Sequence, residues 1–95
     1  EDAMLPDKPG FEMDFITRGS LHDEVLTFKD SIVLMPMRGH WLLKWENYTA
    51  TLNPTDTCIL PAGFSHKLEP SMAGEASMYR VKSNDDPAGP TWTKN

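Results

Sequence analysis

The chain has 95 residues, 39% of them hydrophobic, with eight prolines, six glycines and a formal charge of −5. This composition allows one small, turn-rich globular domain without a second core, and it argues against intrinsic disorder. The acidic balance and the lack of a basic patch argue against nucleic-acid binding, and no apolar run approaches the roughly 18 residues needed to cross a bilayer.

Taken in order, the period of the chain is two. Phe11, Met13 and Phe15 alternate with Glu12 and Asp14, which predicts a half-buried strand with an apolar face. Thr17 to Ser20 breaks it. Val25 to Phe28 is a second short strand, closed by Lys29-Asp30. Ser31 to Met37 is a nearly continuous apolar strand, where Pro36 predicts an edge or a bulge. Arg38-Gly39 turns the chain. His40 to Trp45 alternates again, with Trp41, Leu43 and Trp45 on one face. Glu46-Asn47 predicts a two-residue hairpin turn into Tyr48 to Leu52, with Asn47 suited to positive φ. Asn53-Pro54-Thr55-Asp56 has turn chemistry, because proline presets its φ and Asn and Asp bond nearby backbone.

Thr57 to Leu60 is a short buried strand, and Pro61-Ala62-Gly63 provides the residues of a type II turn. Ser65 to Leu68 and Ala76 to Lys82 give the last two strands. From Ser83 onward Asn, Asp, Pro and Gly predict a surface tail pinned by Trp92. About eight short strands without a helix predict an all-β, single-domain barrel or sandwich over residues 1–95, with its core in 11–82 and a tail over 83–95.

Most side chains with reactive potential read as structural. Cys58, the one cysteine, lies in a buried strand and reads as an inert core thiol. A lone cysteine suits a reducing compartment, and Glu1-Asp2 is acidic where a signal peptide would be basic; both favour a cytoplasmic location. The six methionines are scattered and read as core filler. Ser nucleophile elbows and Gly-x-Gly-x-x-Gly are absent, and the scattered acidic residues give no carboxylate pair to assign to acid–base work, so no catalytic residue is assigned.

His66 is different. It follows the Pro61–Gly63 turn by three residues, which delivers one imidazole to a defined wall of a β-structure. Pro61, Gly63 and His66 together resemble the second motif of the cupin family, P-x-G-x-x-H. The family's leading glycine falls at Thr55 and its trailing asparagine at Pro70. Asp85-Asp86-Pro87 followed by Thr91-Trp92 also looks like the ending of some small cupins. The resemblance runs from about Phe11 to Trp92 and implies a jelly-roll barrel.

In that family the first motif, G-x5-H-x-H-x3,4-E-x6-G, supplies three more ligands to a divalent metal. Gly39 matches its closing glycine, which puts the glutamate at Ile32. Gly19 matches its opening glycine, which puts the histidines at Val25 and Thr27. All three ligands are therefore missing, and a lone His66 cannot hold a catalytic metal. His22 and Glu24 could be displaced ligands, but if Val25 and Thr27 point inward, strand parity turns both outward. No cofactor is expected. His40 reads as a rim or surface residue.

The resemblance and the parity together imply a barrel lined by Val25, Thr27, Ile32, Leu34, Trp41 and Leu60, with His66 as its one titratable group. The expected function is a cupin-fold protein without the usual metal, binding a small molecule or a partner. The alternative is a metal-dependent cupin enzyme of dioxygenase, isomerase or lyase type, using Fe, Zn, Ni or Mn at His66, His22 and Glu24. A metal-free enzyme using His66 as acid or base is a third class. Small cupins usually dimerise through edge strands, so a homodimer through the Phe11 to Ile16 strand is expected.

Overall fold

The computed structural model describes residues 13–17, 25–71 and 74–93. Among them there is no helix. Eight strands form two antiparallel sheets: β1 (Met13–Thr17), β2 (Ile32–Arg38), β3 (Trp41–Trp45), β4 (Tyr48–Leu52), β5 (Thr57–Leu60), β6 (Lys67–Pro70), β7 (Ser77–Lys82) and β8 (Thr91–Thr93). The larger sheet has the order β1-β7-β2-β5-β8 and the smaller one β4-β3-β6. The all-β expectation holds, with different membership. The 25–28 segment makes only an isolated bridge, Leu26 to His66, and the expected tail contributes β8, where Trp92 lies opposite Cys58.

The alternation of apolar residues sets most of the packing. Leu34, Cys58, Leu60 and Met78 from the larger sheet meet Trp41, Leu43, Leu52 and Leu68 from the smaller one in a single buried cluster. Trp41 also ties the sheets together by donating its indole N–H to the Ser77 carbonyl at 3.2 Å. Pro36 lies in the central strand β2, next to an irregularity in the pairing with β7. It therefore marks a bulge and not an edge, which is how a sheet accommodates a residue without an N–H.

Two stretches have the opposite parity to that expected. In β1, Met13 and Phe15 are each 56% exposed, while Ile16 is buried. Asp14 shares the inward parity of Ile16 because its carboxylate accepts from the Arg80 guanidinium, on the partner position of β7. Phe15 instead packs on Tyr79 outside, with ring centroids 5.0 Å apart. Phe11 lies outside the described residues. In 25–28, Leu26 and Phe28 point inward and Val25 is 48% exposed. The cause is the pairing with 63–66: Leu26 and His66 exchange both backbone hydrogen bonds, and Gly63 N–H donates to the Phe28 carbonyl. That register faces Leu26 and Phe28 to the core, so Val25 does not line the interior. Thr27 is half-buried on the outer parity, its hydroxyl 2.8 Å from that of Ser65.

The turns explain several sequence choices. The turn after β5 closes with Phe64 N–H donating to the Pro61 carbonyl, so Pro61 takes the first position and Gly63, at φ +74°, the third. That is the place where a type II turn requires positive φ. In the β3–β4 hairpin it is Glu46, at φ +51°, and not Asn47, that takes positive φ. Gly39 sits at φ +70°, and a Cβ there would lie 2.6 Å from the Glu75 carbonyl oxygen.

Thr55 is the outlier. It holds φ +76° in the turn that Asn53 and Asp56 close by two mutual hydrogen bonds. A β-branched residue in this region is strained. Thr55→Gly should therefore raise stability by about 1 kcal/mol, read as a higher urea midpoint at unchanged m-value.

Candidate functional site

The site begins with the segment that the turn presents. Phe64 and His66 follow Gly63, and the Leu26 bridge fixes the backbone of His66 before β6 starts. The imidazole is 2% exposed. Its Nδ1 lies 2.9 Å from the Phe64 carbonyl oxygen. A carbonyl only accepts, so Nδ1 carries the proton in the neutral ring and Nε2 keeps a lone pair. Nε2 is buried with no hydrogen-bond partner among the described residues.

Arg80 enters from β7. Residues Asp14, Arg80, Leu34 and Cys58 occupy one row across the larger sheet, so the guanidinium reaches the interior over apolar neighbours. It is 5% exposed. Nη2 donates to Asp14 Oδ2 at 3.0 Å, while Nε and Nη1 are buried without a partner among the described residues. The guanidinium carbon lies 4.5 Å from the centroid of the Phe28 ring, a cation–π contact. The same ring lies 6.0 Å from that of His66. Phe28 thus touches both polar groups.

Aromatic rings continue outward from there. Phe64 lies nearly parallel to His66 at 6.1 Å, Trp45 is 5.7 Å from Phe64, and Trp92 and exposed Tyr48 flank Trp45 at 6.4 and 5.4 Å. A run of rings therefore leads from the surface to the buried imidazole and guanidinium. Two open clefts among the described residues lie elsewhere. One, of about 470 Å³, is lined by Phe15, Thr17, Arg38 and residues 74–77; the other, of about 510 Å³, by Val25, Lys44, Trp45, Glu46, Ser65 and Lys67. Neither contains His66 or Arg80, and only Trp45 belongs to both the second cleft and the aromatic run.

Burial sets the electrostatics. Desolvation holds the His66 pKa down to about 4; the Phe64 carbonyl raises it somewhat and the charge of Arg80 lowers it further. Desolvation also lowers the Arg80 pKa, opposed by the hydrogen bond and charge of Asp14, and the guanidinium stays protonated at neutral pH. His66 thus titrates lower when folded than when unfolded, near 6.5. Its contribution is complete above about pH 6.5. Below that the unfolded chain takes the proton first, so stability falls until about pH 4 and levels off beneath it. The expected loss is as much as about 3 kcal/mol, and urea titrations between pH 7 and 4 on wild type and His66→Phe should differ by that pH-dependent part.

Of the residues expected to line the barrel, Ile32, Leu34, Trp41, Leu60 and His66 are buried. Val25 lies on the outside and Thr27 is half-buried beside Ser65. His40 is exposed and hydrogen-bonds Asn53. His22 and Glu24 lie outside the described residues. Among the described residues, no group of three or more His, Cys, Asp or Glu is placed to hold a metal ion. The surroundings of His66, two phenyl rings and a guanidinium, fit a divalent cation poorly, because the cation would meet a like charge in a desolvated interior.

Sequence reasoning missed Arg80, Asp14 and Phe28. The available signal was parity. Arg80 shares a face with Met78 in β7, and Asp14 shares one with Ile16 in β1. A cation and an anion at inward positions of two strands suggest a buried pair.

No protein-family model matches the chain, and no curated protein matches it. No helix among the described residues is long and apolar enough to cross a membrane.

Proposed function

We propose that this chain is a cupin-like barrel that binds a small molecule in its interior without the metal centre of that family. The observation that carries the reading is the meeting of His66 and Arg80 on Phe28, with three buried polar nitrogens left for a guest. Small-molecule sites combine apolar and aromatic walls with a few convergent polar groups, and this interior has that make-up. The cupin resemblance is supported by backbone geometry. Thr55, Gly63 and Gly39, the three described positions where the family pattern carries glycine, all take positive φ. The buried single thiol of Cys58 suits a reducing compartment such as the cytoplasm.

A second copy completes the reading. Among the described residues β1 has a neighbour on one side only and exposes Met13 and Phe15, so it offers a free edge for a homodimer. A monomer at micromolar concentration in equilibrium sedimentation removes that part.

Elemental analysis after incubation with Fe, Zn, Ni and Mn tests the metal-free reading, beside a His66→Ala control. The expected result is less than stoichiometric metal in both proteins. Near-stoichiometric metal that disappears in His66→Ala overturns it.

A further inference from the structure

Hydrogen-bond chemistry narrows what the interior can hold. His66 gives its Nδ1 proton to the Phe64 carbonyl, so Nε2 can only accept. Arg80 can only donate, and Nε and Nη1 both remain without a partner among the described residues. Both side chains are more than nine-tenths buried. Leaving such groups unmatched forfeits their hydration without replacing it, and native interiors retain few of them. A complementary guest therefore offers an acceptor to Arg80 and a donor to His66.

Charge and shape add to this. Asp14 engages one nitrogen of Arg80, and its side chain is 21% exposed against 6% for that of Arg80. Solvent therefore screens the carboxylate more than the guanidinium, and the buried side of the pair is the positive side. An oxyanion there makes a charge-assisted hydrogen bond, stronger than one to a neutral carbonyl. Phe28 is the flat ring beside both groups, and Phe64 lies beside His66 with Trp45 beyond. Flat apolar walls favour a flat apolar body.

We infer that the barrel takes a small aromatic hydroxy acid, its carboxylate accepting from Arg80, its hydroxyl donating to His66 Nε2, and its ring against Phe28 and Phe64. This inference rests on the ligand-binding reading above and adds the chemical class of the ligand.

Calorimetric titration of the whole chain with 2-, 3- and 4-hydroxybenzoate tests it, with benzoate and the three hydroxybenzamides as controls. Benzoate lacks the donor, and the amides lack the charge. At least one hydroxybenzoate should bind about tenfold tighter than both benzoate and its own amide, the factor for one charge-assisted or donor-matched hydrogen bond. In Arg80→Lys, which keeps a cation for Asp14, the preference for acid over amide should fall about tenfold. In His66→Phe the preference for hydroxybenzoate over benzoate should disappear while benzoate still binds. Equal binding of acids, amides and benzoate overturns the hydroxy-acid inference and leaves the ligand-binding reading standing. No binding by any compound overturns both. Should either variant fail to fold, the wild-type series alone decides.

Discussion

Arg80→Ala should destabilise the fold by about 4 kcal/mol, more than removal of any exposed charge. Truncation leaves the Asp14 carboxylate without its cation, empties the space over Phe28 and deletes the cation–π contact. Breaking a buried pair by removing one partner typically costs about 3–5 kcal/mol. The partial exposure of Asp14 moderates the figure and the lost packing adds to it. The double variant Arg80→Met/Asp14→Leu separates the causes. It removes both charges, keeps volume and should recover most of the loss, since apolar replacement of a whole buried pair is often neutral or stabilising. Urea unfolding followed by tryptophan fluorescence reads both. A double variant as unstable as Arg80→Ala would show that the guanidinium acts through contacts other than the pair.

The second large effect is expected at Gly39, where Gly39→Ala should cost about 3–4 kcal/mol. Two terms add. The backbone sits at φ +70°, which L side chains rarely adopt, and the new Cβ would stand 2.6 Å from the carbonyl oxygen of Glu75. The obstacle is backbone, so no side-chain rotation relieves it. Thermal unfolding of Gly39→Ala beside Gly63→Ala makes the comparison. Gly63 shares the positive φ but has nothing within 4 Å of its Cβ position, so its variant shows the conformational term alone. Equal losses at the two positions would remove the steric argument.

Much of this architecture was readable from alternation. Strand β3 follows a run of period two, β2 and β5 follow short apolar runs, turn residues separate these strands, and the turn before His66 is spelled by its own residues. What escaped was non-local. β8 is three residues with polar threonines on both sides of Trp92, and only its pairing with β5 makes it a strand. The inward face of β1 was hidden because Asp14 outranks Phe15 for the interior, and that ranking depends on an arginine far along the chain. The 25–28 register depends on partners near residue 66. Pattern identifies elements, whereas the facing of a short strand is decided by the strand beside it. The candidate site divides the same way: His66 was visible from its local turn, and Arg80 only from the register of a sheet.

The strand order β1-β7-β2-β5-β8 has a kinetic meaning. No two neighbours in that sheet are consecutive in the chain, and of the contacts among strands only the β3–β4 hairpin is local. Every other pairing closes a loop before it gains contacts, which places such topologies among the slow two-state folders, on the millisecond-to-second scale. The first and last described strands are the two borders of the same sheet. A ribosome must therefore release Thr93 before the sheet can be completed, and until then β5 waits without β8, its outer neighbour.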